Sequence, residues 1–252
     1  MSGSLNHYAH APSPWKGQGW LNAVLISVCF ILILPVLALV VTAMGDNRDL
    51  MQHLIDTVLF RYLSNTMILI LGVGMLTLGI GVTTAWVVSR YEFPFRHILS
   101  WMLLLPMAIP SYIIAYVYTG FLDYAGPVQS LIRQYYGYTS WNQYWFPEIR
   151  SMGGAIFVMG LVLSPYVYLM ARTGFGQIPI RVFEATLLTG RSLIWHVGLP
   201  MGRPAIIAGL ALVLMEVVAD FGTVDFFAVE TISLGVYNVW LGMNSITTAA
   251  QL

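Results

Sequence analysis

The sequence is nearly without lysine and cysteine and carries no net charge, and each shortage closes off a class of function. Lys16 is the only lysine, and its surroundings, Ser13-Pro14-Trp15-Lys16-Gly17, lack the Gly-x-x-x-x-Gly-Lys-Ser/Thr pattern of a phosphate-cradling loop. Any nucleotide hydrolysis therefore belongs to a different chain. Cys29 is the only cysteine, which excludes an internal disulfide and a cysteine-based zinc site. A formal net charge of zero without clustered basic residues rules out a nucleic-acid surface, because phosphate binding needs grouped Lys and Arg. Charged residues make up 9% of the chain, against roughly 25% in soluble domains. Most of its exterior is therefore expected to meet lipid or other apolar protein.

What is abundant is apolar sequence, at 58% of residues. A spanning helix needs about 20 apolar residues to cover about 30 Å of hydrocarbon. Five runs qualify: 21–44, 66–89, 99–121, 154–175 and 204–224. The first exceeds the apolar core of a signal peptide and has no small-residue cleavage site after it, so it reads as a retained helix. These runs predict an all-α, polytopic transmembrane bundle. With a cytoplasmic N-terminal tail over 1–20, Lys16, Arg90, Arg96, Arg172, Arg181, Arg191 and Arg203 lie inside, and Arg48, Arg61, Arg133 and Arg150 outside. Seven basic residues against four satisfies the positive-inside preference. The stretch after Asp225 holds one more apolar segment, 232–241, and a further spanning helix is expected past Leu252.

The connecting segments differ. Residues 46–65 suit a short helix on the outer interface, whereas 122–152 is rich in Tyr and Trp, as an interfacial aromatic belt would be. Gly72 and Gly79, like Gly74 and Gly81, stand seven apart, so each pair marks one face for close helix packing. Pro106 and Pro110, followed by Tyr112, free backbone carbonyls in the third run; the result is either a structural kink or a broken helix lining a transport route. Glu216 and Asp220 stand at i, i+4 in the fifth run and are expected to share a helix face. A carboxylate in hydrocarbon is costly unless paired or wet. Pairing within the bundle is one reading of Glu216; Asp220 is the better pathway candidate and a weak metal candidate. His53 lies on the outside and His97 and His196 inside, so they do not converge, and His7 and His10 sit in the polar tail.

The loop 176–203 is the most informative. Pro179 is placed to open a short helix through Phe183, Glu184, Ala185 and Leu188, and Gly190 to end it, with Pro204 opening the final span. Such a helix on the inner face is a docking or interfacial element.

Phe183-Glu184-Ala185-Thr186-Leu187-Leu188-Thr189-Gly190, followed by Leu199-Pro200, resembles the Glu-Ala-Ala-x-x-x-Gly … Leu-Pro loop of the permease subunits of bacterial ABC importers. Thr186 stands where a second Ala is usual, and the stretch from Gly190 to Leu199 is shorter than the family's. The segments 106–112, 123–129, 164–172 and 218–227 resemble, more narrowly, ferric-iron importer permeases. The resemblance implies a type I importer bundle over 21–252 at the bacterial inner membrane, with Glu184, Ala185 and Gly190 coupling to an ATP-binding subunit. It implies that ATP is bound by that subunit and that this chain needs no cofactor of its own. A periplasmic substrate-binding protein and a second permease half or copy would be its other partners. Ferric iron is the expected cargo, with thiamine or another small organic solute as the alternative. No enzymatic activity is expected: a membrane-embedded enzyme would need convergent nucleophile and base, and a passive channel a ring-forming polar stripe.

Overall fold

A computed structural model describes residues 19–252; the expectations for the N-terminal tail, with His7, His10 and Lys16, lie outside the described residues. Among the described residues the chain is helical without strands. Four helices are long and apolar enough to cross a membrane: the first helix Gly19–Ala43, the long helix Arg48–Arg90, the central helix Met152–Gly176 and the last spanning helix Ile194–Ala219. A fifth crossing exists only if the bent pair Arg96–Ala108 and Ser111–Tyr136 is counted as one.

The long helix corrects the expectation of a separate interfacial helix over 46–65. Residues 48–65 contain neither Gly nor Pro, so nothing stops the helix before the apolar run begins. The chain passes through a π turn at Ile55–Leu59 and continues unbroken to Arg90. Its projecting part is braced from the side: Arg61 pairs with Glu230, Asn65 Nδ2 donates to the Glu230 carbonyl at 2.9 Å, and Gly235 lies against the Tyr62 ring.

The central helix is the most buried element and packs along the long helix in the same direction, with the last spanning helix antiparallel to both. The order of contacts gives the direction. A Cβ on Gly72 would lie 2.6 Å from Ile156, one on Gly81 2.6 Å from Val167, and Gly160 accommodates Leu76. Gly209 abuts Val167 and Gly202 abuts Phe175, reversing the sequence order. The expected glycine pairs are only half right. Gly79 faces open space, because the buried strip of the long helix steps by four residues through Leu69, Val73, Thr77, Gly81 and Ala85. A four-residue step rotates around a 3.6-residue helix, so the line through Gly72 has left the buried side by Gly79, whereas Gly74 and Gly81 are both buried. Gly81→Val should therefore cost about 1–3 kcal/mol by overpacking. Gly79→Ala should add up to about 1 kcal/mol of helix propensity; thermal unfolding in detergent checks both.

The third run is not one continuous helix over 99–121. The chain forms Arg96–Met102, a 3-10 turn at Leu105–Ala108 and a separate helix Ser111–Leu122, with a 102° bend at the break. Pro110 forces the change. It disfavours helical backbone at the preceding residue, and Ile109 accordingly adopts φ −119°, ψ 129°. The last spanning helix begins before Pro204 and ends before 224. A π turn at Ile194–Gly198 leads into Leu199–Ala219, drawn in by burial of Val197 and Gly198 near Trp86. At the other end Asp220 is extended, and the chain turns into a short helix, Gly222–Phe226. The apolar segment expected at 232–241 is the helix Ile232–Gly242. A final helix, Ile246–Gln251, seals the end of the first helix: Gln251 Nε2 donates to the carbonyls of Ala43 and Gly45, both at 2.9 Å.

Candidate functional site

Two separate places hold the residues singled out in the sequence, one at each end of the bundle. At the Arg90 end stands the short helix Ile180–Leu188. Pro179, with φ −59° and ψ 138°, directs the chain into it. Gly190 ends it with φ +67°, its N–H donating to the Leu187 carbonyl at 3.1 Å. No neighbour comes within 4 Å of a Cβ built on Gly190, so glycine is needed there for its backbone conformation rather than for space. Thr186, the departure from the family pattern, gives its hydroxyl to the Val182 carbonyl at 2.8 Å and so satisfies itself within the helix.

This helix has one buried side chain, Phe183. The ring is tilted against Trp86 at 6.3 Å between centroids, and the Arg90 guanidinium carbon lies 3.3 Å from its centroid. The flank of the helix beside it is bare: Ile180, Glu184, Leu187 and Leu188 are exposed, Leu188 at 91%, and Ala185 with them. Positions 180, 184, 187 and 188 form one helical stripe. The result is an amphipathic helix pinned by one aromatic side chain, with a largely apolar face and a central carboxylate presented outward. Glu184 forms no ion pair among the described residues.

At the other end, the structure brings Pro110 and Tyr112 to Asp220 but leaves Glu216 and Pro106 apart. Ser111 Oγ donates to Asp220 Oδ2 at 2.7 Å, and Thr223 Oγ1 donates to the same oxygen at 2.8 Å. Asp220 Oδ1 accepts the backbone N–H of Thr223 at 2.7 Å, an orphan donor in the first turn of Gly222–Phe226. Tyr112 is half exposed and stands against Gly222. The carboxylate thus clasps the corner after the last spanning helix to the start of the helix that follows Pro110. The helix ends at Ala219, and Asp220 caps it with its N–H on the Glu216 carbonyl at 2.9 Å, but the two carboxylates differ in their surroundings. Glu216 is exposed on the side of the last spanning helix, and it makes no side-chain hydrogen bond or ion pair among the described residues. Pro106 lines an apolar cavity of about 370 Å³ with Ile109, Ile113, Tyr118 and Leu161.

Ser111 and Thr223 were not singled out in the sequence. Asp-x-x-Thr before a short helix is a readable capping signal, masked here by the apolar run that continues through it. For Arg90, Trp86 and Phe183 there was no such signal, because the contacts join distant segments. No group of three or more His, Cys, Asp or Glu side chains that could hold a metal ion exists among the described residues. Asp220, the metal candidate, has its oxygens occupied by donors.

The aromatic segment folds on itself at the Asp220 end. Tyr138 stacks on Tyr144 at 5.5 Å and on Tyr136 at 5.7 Å, and Tyr144 donates to Gln129 Oε1 at 2.6 Å. A cavity of about 860 Å³ opens beside it, with Asp123, Trp141, Trp145, Glu148 and Arg150 in its wall.

Comparison with known proteins gives one family. The profile described as binding-protein-dependent transport system inner membrane component matches residues 77–237. The chain is 23% identical to the Fe(3+)-transport system permease protein FbpB 2 of Haemophilus influenzae over 95% of its own length, and spans 43% of that protein. It is 27% identical to the probable sulfate transport system permease protein cysT of Chlorokybus atmophyticus, over 90% of this chain and 76% of that one. It also matches the molybdenum transport system permease protein ModB of Haemophilus influenzae, at 24% identity over 64% of this chain. The crystal structure of a bacterial ABC transporter importing the polysaccharide alginate shares the fold, with a TM-score of 0.72, 17% identity, and 93% of this chain and 89% of that chain covered.

Proposed function

Because this chain belongs to the family of binding-protein-dependent transport system inner membrane components, we propose that its Arg90 end faces the cytoplasm and receives the push of a separate ATP-binding subunit. It is a permease component of an ABC importer, a transport protein rather than an enzyme. The observation that carries the coupling reading is the Ile180–Leu188 helix, held by Phe183 and otherwise presenting Ile180, Glu184, Leu187 and Leu188 to a partner. In this orientation the Asp220 end and the aromatic cavity face outward, where a substrate-binding protein would deliver its load. A second permease half or copy would complete the pathway beside the exposed face of the last spanning helix that carries Glu216.

The cargo proposed first is ferric iron. Support comes from the segments around Pro106, Gly126, Pro165 and Asp220, and from a likeness to a ferric permease along nearly the whole chain. Small oxyanions are the second reading. Sulfate and molybdenum permeases are equally similar, and the donors around Asp220 leave that carboxylate no free oxygen for a cation. The transporter, reconstituted in vesicles with its ATPase and binding protein, should accumulate labelled ferric iron upon ATP addition. Accumulation of sulfate or molybdate instead would transfer the assignment to the oxyanions, and accumulation of thiamine to organic solutes.

A further inference from the structure

Arg90 is the last residue of the long helix, and its guanidinium ties together the ends of three elements. Its Nη2 donates to the Phe175 carbonyl at 3.1 Å, in the last turn of the central helix, where that oxygen has only a long 3.4 Å bond from the Ile178 N–H besides. The same planar group covers the Phe183 ring at 3.3 Å and lies 5.8 Å from the Trp86 ring. Trp86 in turn meets Phe175 edge-on at 5.3 Å, and Gly198, at the start of the last spanning helix, leaves room for the Trp86 ring. Arg90 Nε is buried without a hydrogen-bond partner, so the group is held by the ring and the carbonyl rather than by an anion. Among the described residues no carboxylate pairs with it.

We propose that Arg90 is the positioning residue through which movement of the Ile180–Leu188 helix is passed to the membrane-spanning helices. The proposal rests on the coupling reading given above. Phe183 is the one fully buried side chain of that helix, with half-buried Val182 packed beside it, so a push on its outer stripe enters the bundle chiefly through this ring. The ring's polar neighbour is a cation bonded to the central helix and belonging to the long helix. Displacing Phe183 therefore shifts both helix ends together, and Arg90 makes the link stiff because its planar group both stacks and donates.

The test uses the complete transporter in vesicles, with the full-length permease, its ATPase and its binding protein. Arg90→Gln is expected to retain the ATPase subunit on the purified permease, while transport per ATP hydrolysed falls roughly tenfold, between the exposed and the desolvated worth of a cation–π contact, as suits a half-buried guanidinium. Arg90→Lys, which keeps the charge over the ring, should recover part of that ratio. Phe183→Leu should resemble Arg90→Gln, and the double variant should be no worse than either single one. A wild-type ratio in Arg90→Gln, or additive losses in the double variant, overturns the proposal. If Arg90→Gln does not insert, Phe183→Leu decides alone, and a normal ratio there overturns it. Leu188→Asp on the outer stripe serves as the separate control. If it still binds the ATPase subunit normally, the coupling reading itself falls, whatever Arg90 does.

Discussion

Uptake is expected to drop to background in a Glu184→Lys, Gly190→Pro double variant, with the amount of permease in the membrane unchanged. Gly190 has φ +67°, whereas proline is locked near −65°. Proline also removes the N–H that Gly190 gives to the Leu187 carbonyl. The turn that ends the 180–188 helix cannot form, and the stripe of Ile180, Glu184, Leu187 and Leu188 loses its fixed outline. Glu184→Lys reverses the only charge in the middle of that stripe. Both residues are exposed and the spanning helices keep every buried contact, so insertion is unaffected. Uptake measured beside quantitation of the membrane fraction makes the comparison. Normal uptake would remove the coupling role from this helix.

Asp220 should tolerate asparagine far better than leucine. Asparagine keeps an oxygen for the Thr223 N–H, and the hydroxyls of Ser111 and Thr223 can turn to accept from its amide. Asp220→Leu strands those donors at a corner where Thr223 is fully buried. The expected cost is about 3 kcal/mol, from unmade hydrogen bonds at buried groups. Thermal unfolding in detergent should show a clear loss for Leu and little change for Asn, with uptake following stability. Loss of uptake in a normally stable Asp220→Asn would instead mean that the charge itself is used during translocation.

The parts of this molecule legible in its sequence are those set by composition and local backbone chemistry. Long apolar runs marked the crossing helices, and Pro179 and Gly190 bounded the 180–188 helix because each acts on its own neighbours. The corner at Asp220 was invisible to hydropathy, since apolar residues continue to Val224 on both sides of one carboxylate. Residues 48–65 looked interfacial from their polarity, yet the absence of Gly and Pro lets the helix run on. The Gly72/Gly79 pairing failed because a seven-residue repeat assumes helices lying alongside one another, and the observed strip advances by four. Of the candidate residues, Glu184 and Ala185 lie on the 180–188 helix and Gly190 just past its end. Tyr112 and Pro110 reach Asp220 only through a sharp turn whose angle depends on contacts between distant segments.

The interlocked long and central helices also limit how this bundle can rearrange. Ile156 and Val167 of one and Leu76 of the other sit in glycine notches on the facing helix, and sliding along the axis would drive each side chain into the next backbone turn. Shear between these two rods is thereby blocked. The helical backbone is interrupted elsewhere, at Ile109 and at Asp220, both extended. Ser111, two residues past the first break, donates to the carboxylate at the second, so a change of angle at one would have to break that bond or be matched at the other.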